Sequence, residues 1–269
     1  MPIEDAPDDQ VLAAFGLSGE PVILEGGMAP VYLVNDTVLK RVDSVDEAVW
    51  RSELFLRLDE KGFRLPAPVP TVAGAWIADG WVASRHLVGR HDASRWPQLV
   101  TASRAFHAAL SRESRPAFLD QVDHRWARAH RVAWGEAEIE MPEDVARRVY
   151  ALRAMAVPVT EVSQLIHTDL AGNVLFAGDE PPGILDFSPW WAPVGYAEGI
   201  LMTDALLWYG ADSSVVSLVS DRASFPQMLV RACIFRLVAL SEGIQKGHVD
   251  YRSELGLFDS LSEFVSTLL

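Results

Sequence analysis

The chain has 269 residues, 49% of them apolar, and a formal net charge of −14. That length supports a substantial core in no more than two lobes, the acidity works against an extended nucleic-acid interface, and a single cysteine excludes an internal disulfide or a cysteine-built zinc site. The acidic start lacks the regions of a secretory leader and the apolar runs are too short to span a bilayer, so a cytoplasmic protein is expected, without nucleic-acid or membrane partners.

Strand signals come first. Val22–Leu24, Val31–Val34 and Val38–Val42 read as strands, with Gly26-Gly27 joining the first two and Asn35-Asp36 turning the second into the third. Paired glycines let a backbone approach a phosphate closely. Ser44 to Leu58 reads as a helix, with Val45, Val49, Leu54, Phe55 and Leu58 on its apolar face and Ser44 and Glu47 at capping-box spacing. A proline-rich stretch, Leu65–Pro70, follows, then a hairpin around Asp79-Gly80. Past Pro97 the pattern turns helical. Segments are expected at 97–110, from Pro116 through Trp126, after Pro142, and over 197–209, 225–244 and 257–268. A β-rich front and a helical back predict an α+β fold.

One hairpin interrupts the helices. Ile166-His167-Thr168-Asp169-Leu170-Ala171-Gly172-Asn173 leads into the apolar run Val174–Phe176, and after the turn residues 179–182 the run Gly183–Leu185 ends at Asp186. Asp169, Asn173 and Asp186 thus stand at its open end. Phosphoryl transfer needs such a set: a carboxylate near the attacking hydroxyl, and hard oxygen ligands for magnesium. Asn occurs only at 35 and 173, which adds weight to Asn173. His167 and Asp169 have no neighbouring Cys or His to complete a zinc set.

These stretches resemble the H-x-D-x-x-x-x-N and D-F-G elements of protein kinases. They are more similar to the versions in aminoglycoside phosphotransferases and related small-molecule kinases, where the first is often His-Gly-Asp with a following Asn and the second Ile-Asp-Trp or Ile-Asp-Phe. Thr168 stands in place of the usual Gly, and Ser188 in place of the kinase Gly. The run from His167 to Phe176 and the later Asp186-Phe187-Ser188-Pro189-Trp190-Trp191 also resemble an actinobacterial subset of that family.

The resemblance implies a bilobal protein-kinase-like fold, with a small β-rich N-lobe over residues 1–88 and a larger, mainly helical C-lobe over 89–269. It implies ATP and Mg2+ as cofactors, with residues 85–89 meeting the adenine. Asp169 would orient the acceptor hydroxyl and take its proton, His167 would brace the loop, and Asn173 and Asp186 would hold magnesium. Lys40 would contact the nucleotide phosphates beside Gly26 and Gly27; it is one of three Lys in a chain with 20 Arg. Glu53 would be the ion-pair partner of Lys40, since capping accounts for the competing Glu47. The implied activity moves the γ-phosphate to a hydroxyl of a small molecule such as an aminoglycoside or amino sugar. A nucleotide-binding regulatory protein with little or no transfer is the alternative.

Overall fold

The structure is a computed structural model that describes residues 6–24, 29–245 and 251–269. The chain has an α+β fold and divides into two compact units, Met1–Arg90 with Leu175–Leu185, and His91–Val174 with Asp186–Leu269.

An antiparallel sheet dominates the first unit. It is built from β1 (Val22–Leu24), β2 (Val31–Val34), β3 (Thr37–Arg41), β4 (Pro68–Val69), β5 (Ile77–Ala78) and β6 (Trp81–Arg85), in the order β1-β2-β3-β6-β4 with β5 also on β6. Asp79 and Gly80 both have positive φ, 47° and 75°, which is what a two-residue hairpin loop needs to match strand twist. Strand alternation sends Thr37 and Leu39 of β3 inward and leaves Val38 and Lys40 half-buried on the other face. Leu39 joins Tyr32, Val34, Trp81 and Ala83 in a core that α1 (Asp9–Ala14) completes with Val11 and Leu12. α2 (Val45–Arg57) starts where the capping spacing placed it, Ser44 Oγ accepting from the Glu47 N–H. The segment 175–185 joins this unit by backbone pairing. Arg90 and Phe176 exchange N–H···O bonds of 3.0 and 2.9 Å, and Arg64 donates from Nε to the Pro181 carbonyl at 2.7 Å.

The second unit is helical: α3 (Trp96–Leu110), α4 (Arg125–Trp134), α5 (Glu143–Met155), α6 (Val194–Trp208), α7 (Phe225–Gln245) and α8 (Tyr251–Ser266). α7 packs against α4, α5, α6 and α8 and forms the centre of the core. Gly199 lets α6 and α7 come close, since a Cβ there would lie 2.8 Å from the Met228 carbonyl oxygen. The helix expected from Pro116 through Trp126 is instead a single 3-10 turn, Ala117–Asp120, followed by α4. His124 breaks the run: its backbone is extended and its Nδ1 accepts from the Ala127 N–H, which makes it the cap of a new helix.

Two strand pairs carry the chemistry-bearing loops. β7 (Gln164–His167) pairs with β10 (Pro189–Ala192), His167 opposite Pro189, and β8 (Val174–Leu175) pairs with β9 (Gly183–Ile184) as the expected hairpin. Among the described residues no helix is long and apolar enough to cross a membrane.

Candidate active site

In the second unit Asp169 follows β7, and Asn173 lies one loop turn later. Asn173 Nδ2 donates to the Asp169 carbonyl at 2.7 Å and to Asp169 Oδ2 at 3.1 Å. With its nitrogen spent on Asp169, the amide directs its oxygen, the atom suited to a hard cation, away from that contact. Among the described residues no three His, Cys, Asp or Glu gather into a metal cluster. Asn173 and Asp186 would offer one amide oxygen and one carboxylate, oxygen donors of the kind magnesium takes with phosphate and water completing its shell.

Asp186, exposed and at a φ of 43°, ends the strand from β9. Its turn is laced to the Asp169 loop. Thr168 donates to the Ser188 carbonyl twice, from N–H at 3.1 Å and from Oγ1 at 3.2 Å, and His167 Nδ1 accepts from Asp169 N–H at 3.2 Å and from Ser188 N–H at 3.4 Å. His167, fully buried, thus braces both loops and is remote from any role as a base. Thr168 thus ties the two loops with its hydroxyl as well as its backbone N–H. Phe187 packs edge-on against His167 and Phe106, ring centroids 5.4 and 5.3 Å away.

Sequence reasoning missed the other side of Asp169. Arg236 of α7 donates from Nη2 to Asp169 Oδ1 at 2.8 Å and from Nε to Asp204 Oδ1 of α6 at 2.6 Å. Its side chain is 6% exposed and that of Asp204 3%, against 47% for Asp169. Burial works against the Arg236 charge, yet the Asp204 and Asp169 carboxylates hold its pKa above the usual range. A signal existed: Arg236 and Asp204 each interrupt an apolar helical run, where a charge needs a partner.

Beside this loop lies a cavity of about 600 Å³, lined by Ser94, Trp96, Tyr209, Asp212, Ser214 and Ser217 among others. Tyr209 forms the wall next to the Asp169 loop, its hydroxyl standing 2.7 Å from where a Cβ on Gly172 would sit. Burial, and then the Asp204 and Asp169 charges, raise the Tyr209 pKa and keep that hydroxyl neutral. Trp190, by contrast, is core: it stacks on His130 with centroids 4.6 Å apart.

In the first unit Lys40 lies mid-sheet, opposite Val31 of β2 and Val82 of β6. Glu53 is exposed on α2, and it makes no ion pair among the described residues; the helical phase turns its neighbours Leu54 and Phe55 inward instead. Glu47 pairs with Arg51 at 3.3 Å. Gly26 and Gly27 lie outside the described residues.

No protein-family model and no curated protein matches the sequence. Solved structures do match. An aminoglycoside phosphotransferase from Alicyclobacillus acidocaldarius superimposes with a TM-score of 0.61 at 14% identity, over 98% of this chain and 96% of that one. The fold is that of the aminoglycoside phosphotransferases. A spectinomycin phosphotransferase in complex with ADP and spectinomycin gives 0.59 at 14% identity, over 96% of each chain. A choline/ethanolamine kinase family protein from Mesorhizobium loti gives 0.60 at 16%, over 94% of this chain and 89% of that one. The kinase-like fold thus spans acceptors of different chemistry, and at these identities likeness to it does not choose among them.

Proposed function

We propose that the protein is an ATP- and magnesium-dependent phosphotransferase acting on a hydroxyl of a small molecule. The observation that carries the reading is the hydrogen-bonded pair Asp169–Asn173, laced through His167 and Thr168 to the turn that bears Asp186. In a solved structure with the same fold, ADP and spectinomycin are bound together.

The acceptor would enter the cavity beside Tyr209 and Trp96, whose aromatic faces and serine hydroxyls suit a small polyol or amino alcohol. Asp169 orients the acceptor hydroxyl and takes its proton as the new O–P bond forms and the bond to the departing diphosphate breaks. Asn173 and Asp186 would hold magnesium, which would neutralise phosphate charge when bound. Lys40 would contact the nucleotide phosphates.

The test is phosphate transfer from labelled ATP with magnesium to a panel of aminoglycosides, amino sugars, nucleosides and choline-like alcohols, beside Asp169→Asn. That variant should bind Mg-ATP as the wild type does and lose turnover by a factor of roughly 10² or more. Equal turnover by the variant would overturn the role of Asp169. Binding of Mg-ATP with no transfer across the panel would favour a nucleotide-binding regulatory protein.

A further inference from the structure

We infer that Arg236, locked in place by Asp204, is a positioning residue that sets the Asp169 carboxylate in its working orientation. The inference rests on the phosphotransferase reading and adds to it two residues from helices remote in sequence.

The geometry separates this from an ordinary structural ion pair. Asp204 grips the guanidinium with both oxygens, Oδ1 on Nε and Oδ2 on Nη2, which suffices for a self-contained buried pair. The same Nη2 nevertheless reaches on to Asp169 Oδ1 at 2.8 Å. Asp169 lies on a loop and its side chain is 47% exposed, so its carboxylate would rotate freely if unsupported. Here Oδ1 is fixed by Arg236 and Oδ2 by Asn173 Nδ2. Two donors from different elements define both side-chain torsions, and each oxygen keeps a lone pair for an incoming hydroxyl.

The surroundings hold Arg236 as firmly as it holds Asp169. Its guanidinium carbon lies 4.9 Å from the ring centroid of Phe235, 5.6 Å from that of Trp126 and 5.8 Å from that of Trp208. A planar cation between aromatic faces and a forked carboxylate has little freedom to move. A buried Arg–Asp pair is seldom more stable than an apolar pair of the same shape, so stability alone accounts poorly for placing it here. Preorganising a reacting group does account for it, because small misplacements of such a group are costly in rate.

The test uses Asp204→Asn/Arg236→Gln, which removes both charges and keeps a hydrogen-bonding pair, and Arg236→Lys, which keeps the cation and loses the fork. Three readouts are taken: calorimetric Mg-ATP affinity, kcat and KM with an acceptor from the panel, and a crystal structure of the double variant. The expected result is unchanged Mg-ATP affinity, kcat lower by roughly 10- to 100-fold with KM for ATP within about twofold, and partial recovery in Arg236→Lys. In the crystal the Asp169 carboxylate should leave its present orientation. A folded double variant with wild-type kcat, or with Asp169 still in place, would overturn the inference. Should the double variant not fold, Arg236→Lys with wild-type kcat would do the same. If Asp169→Asn is inactive while the Arg236 variants are fully active, the inference fails and the function stands; if Asp169→Asn is fully active, the role of Asp169 fails and the inference with it; if the wild type itself transfers no phosphate across the panel, the function fails.

Discussion

The histidine behind the Asp169 loop makes stability depend on pH in a way that can be measured. His107 of α3 is 2% exposed; its Nε2 accepts the His167 N–H at 3.0 Å, and its Nδ1 lies 3.3 Å from Ser103 Oγ. A ring that accepts at Nε2 is neutral. Burial, and then the neighbouring His167, push the His107 pKa down to about 3. In the unfolded chain the same ring titrates near its ordinary value of about 6.5. Below that pH the unfolded state binds a proton that the folded state refuses, so stability falls as pH falls, beginning near 6.5 and ending near 3. Between pH 7.5 and pH 5 the loss from this group is about 2 kcal/mol, or a Tm lower by about 3–4 °C in a chain of this size. His130, fully buried, is lowered by the same cause and adds to the effect.

The perturbation is His107→Gln, whose side-chain oxygen can accept in place of Nε2 but does not titrate. Urea unfolding of both proteins at the two pH values gives a double difference in which every other titrating group cancels. Wild type should lose about 2 kcal/mol more than the variant on acidification. Equal losses would show that the folded state accommodates the proton, and the argument from burial and from the His167 N–H contact would be refuted.

Two further substitutions test the site's framework. Glu53→Gln should leave KM for ATP within about twofold, because an exposed carboxylate with no ion pair among the described residues contributes little; a tenfold rise in an ATP titration would mean that α2 brings Glu53 to Lys40 when nucleotide binds. Thr168→Val should lower stability by about 1 kcal/mol through loss of the Oγ1 bond to the Ser188 carbonyl, and an unchanged urea midpoint would show that the backbone bond alone ties the loops.

What could be read in the sequence was local. The strand signals at Val31–Val34 and Val38–Val42, the Asp79-Gly80 turn and the Ser44–Glu47 cap each depend on residues a few positions apart, and each has its counterpart, the second strand one residue earlier at Thr37–Arg41. The α1 helix escaped because six residues give too short a period to detect, although Val11 and Leu12 finish the core of the sheet. The pairing of β7 with β10 escaped for another reason. Both strands have four residues, one opens with Pro189, and each gains its identity from a partner about twenty residues away. Glu53 was placed by analogy, and the helical phase that buries Leu54 and Phe55 turns it outward.

The same contrast separates the halves of the site. Asp169 and Asn173 are four residues apart, so their spacing announces them, whereas Arg236 is 67 residues from Asp169 and 32 from Asp204. Charge inside an apolar helix is the signal that survives such distances, but it does not by itself name a role. α6 buries two carboxylates. Glu198 is satisfied by Arg104 and Arg222, at 2.7 Å each, and Arg104 goes on to Asp221, whose side chain is 65% exposed. Asp204 is satisfied by Arg236, which goes on to Asp169. The first chain of charges ends in solvent and anchors helices; the second ends on Asp169, the carboxylate proposed to act on the acceptor, and only the three-dimensional path of each chain tells them apart.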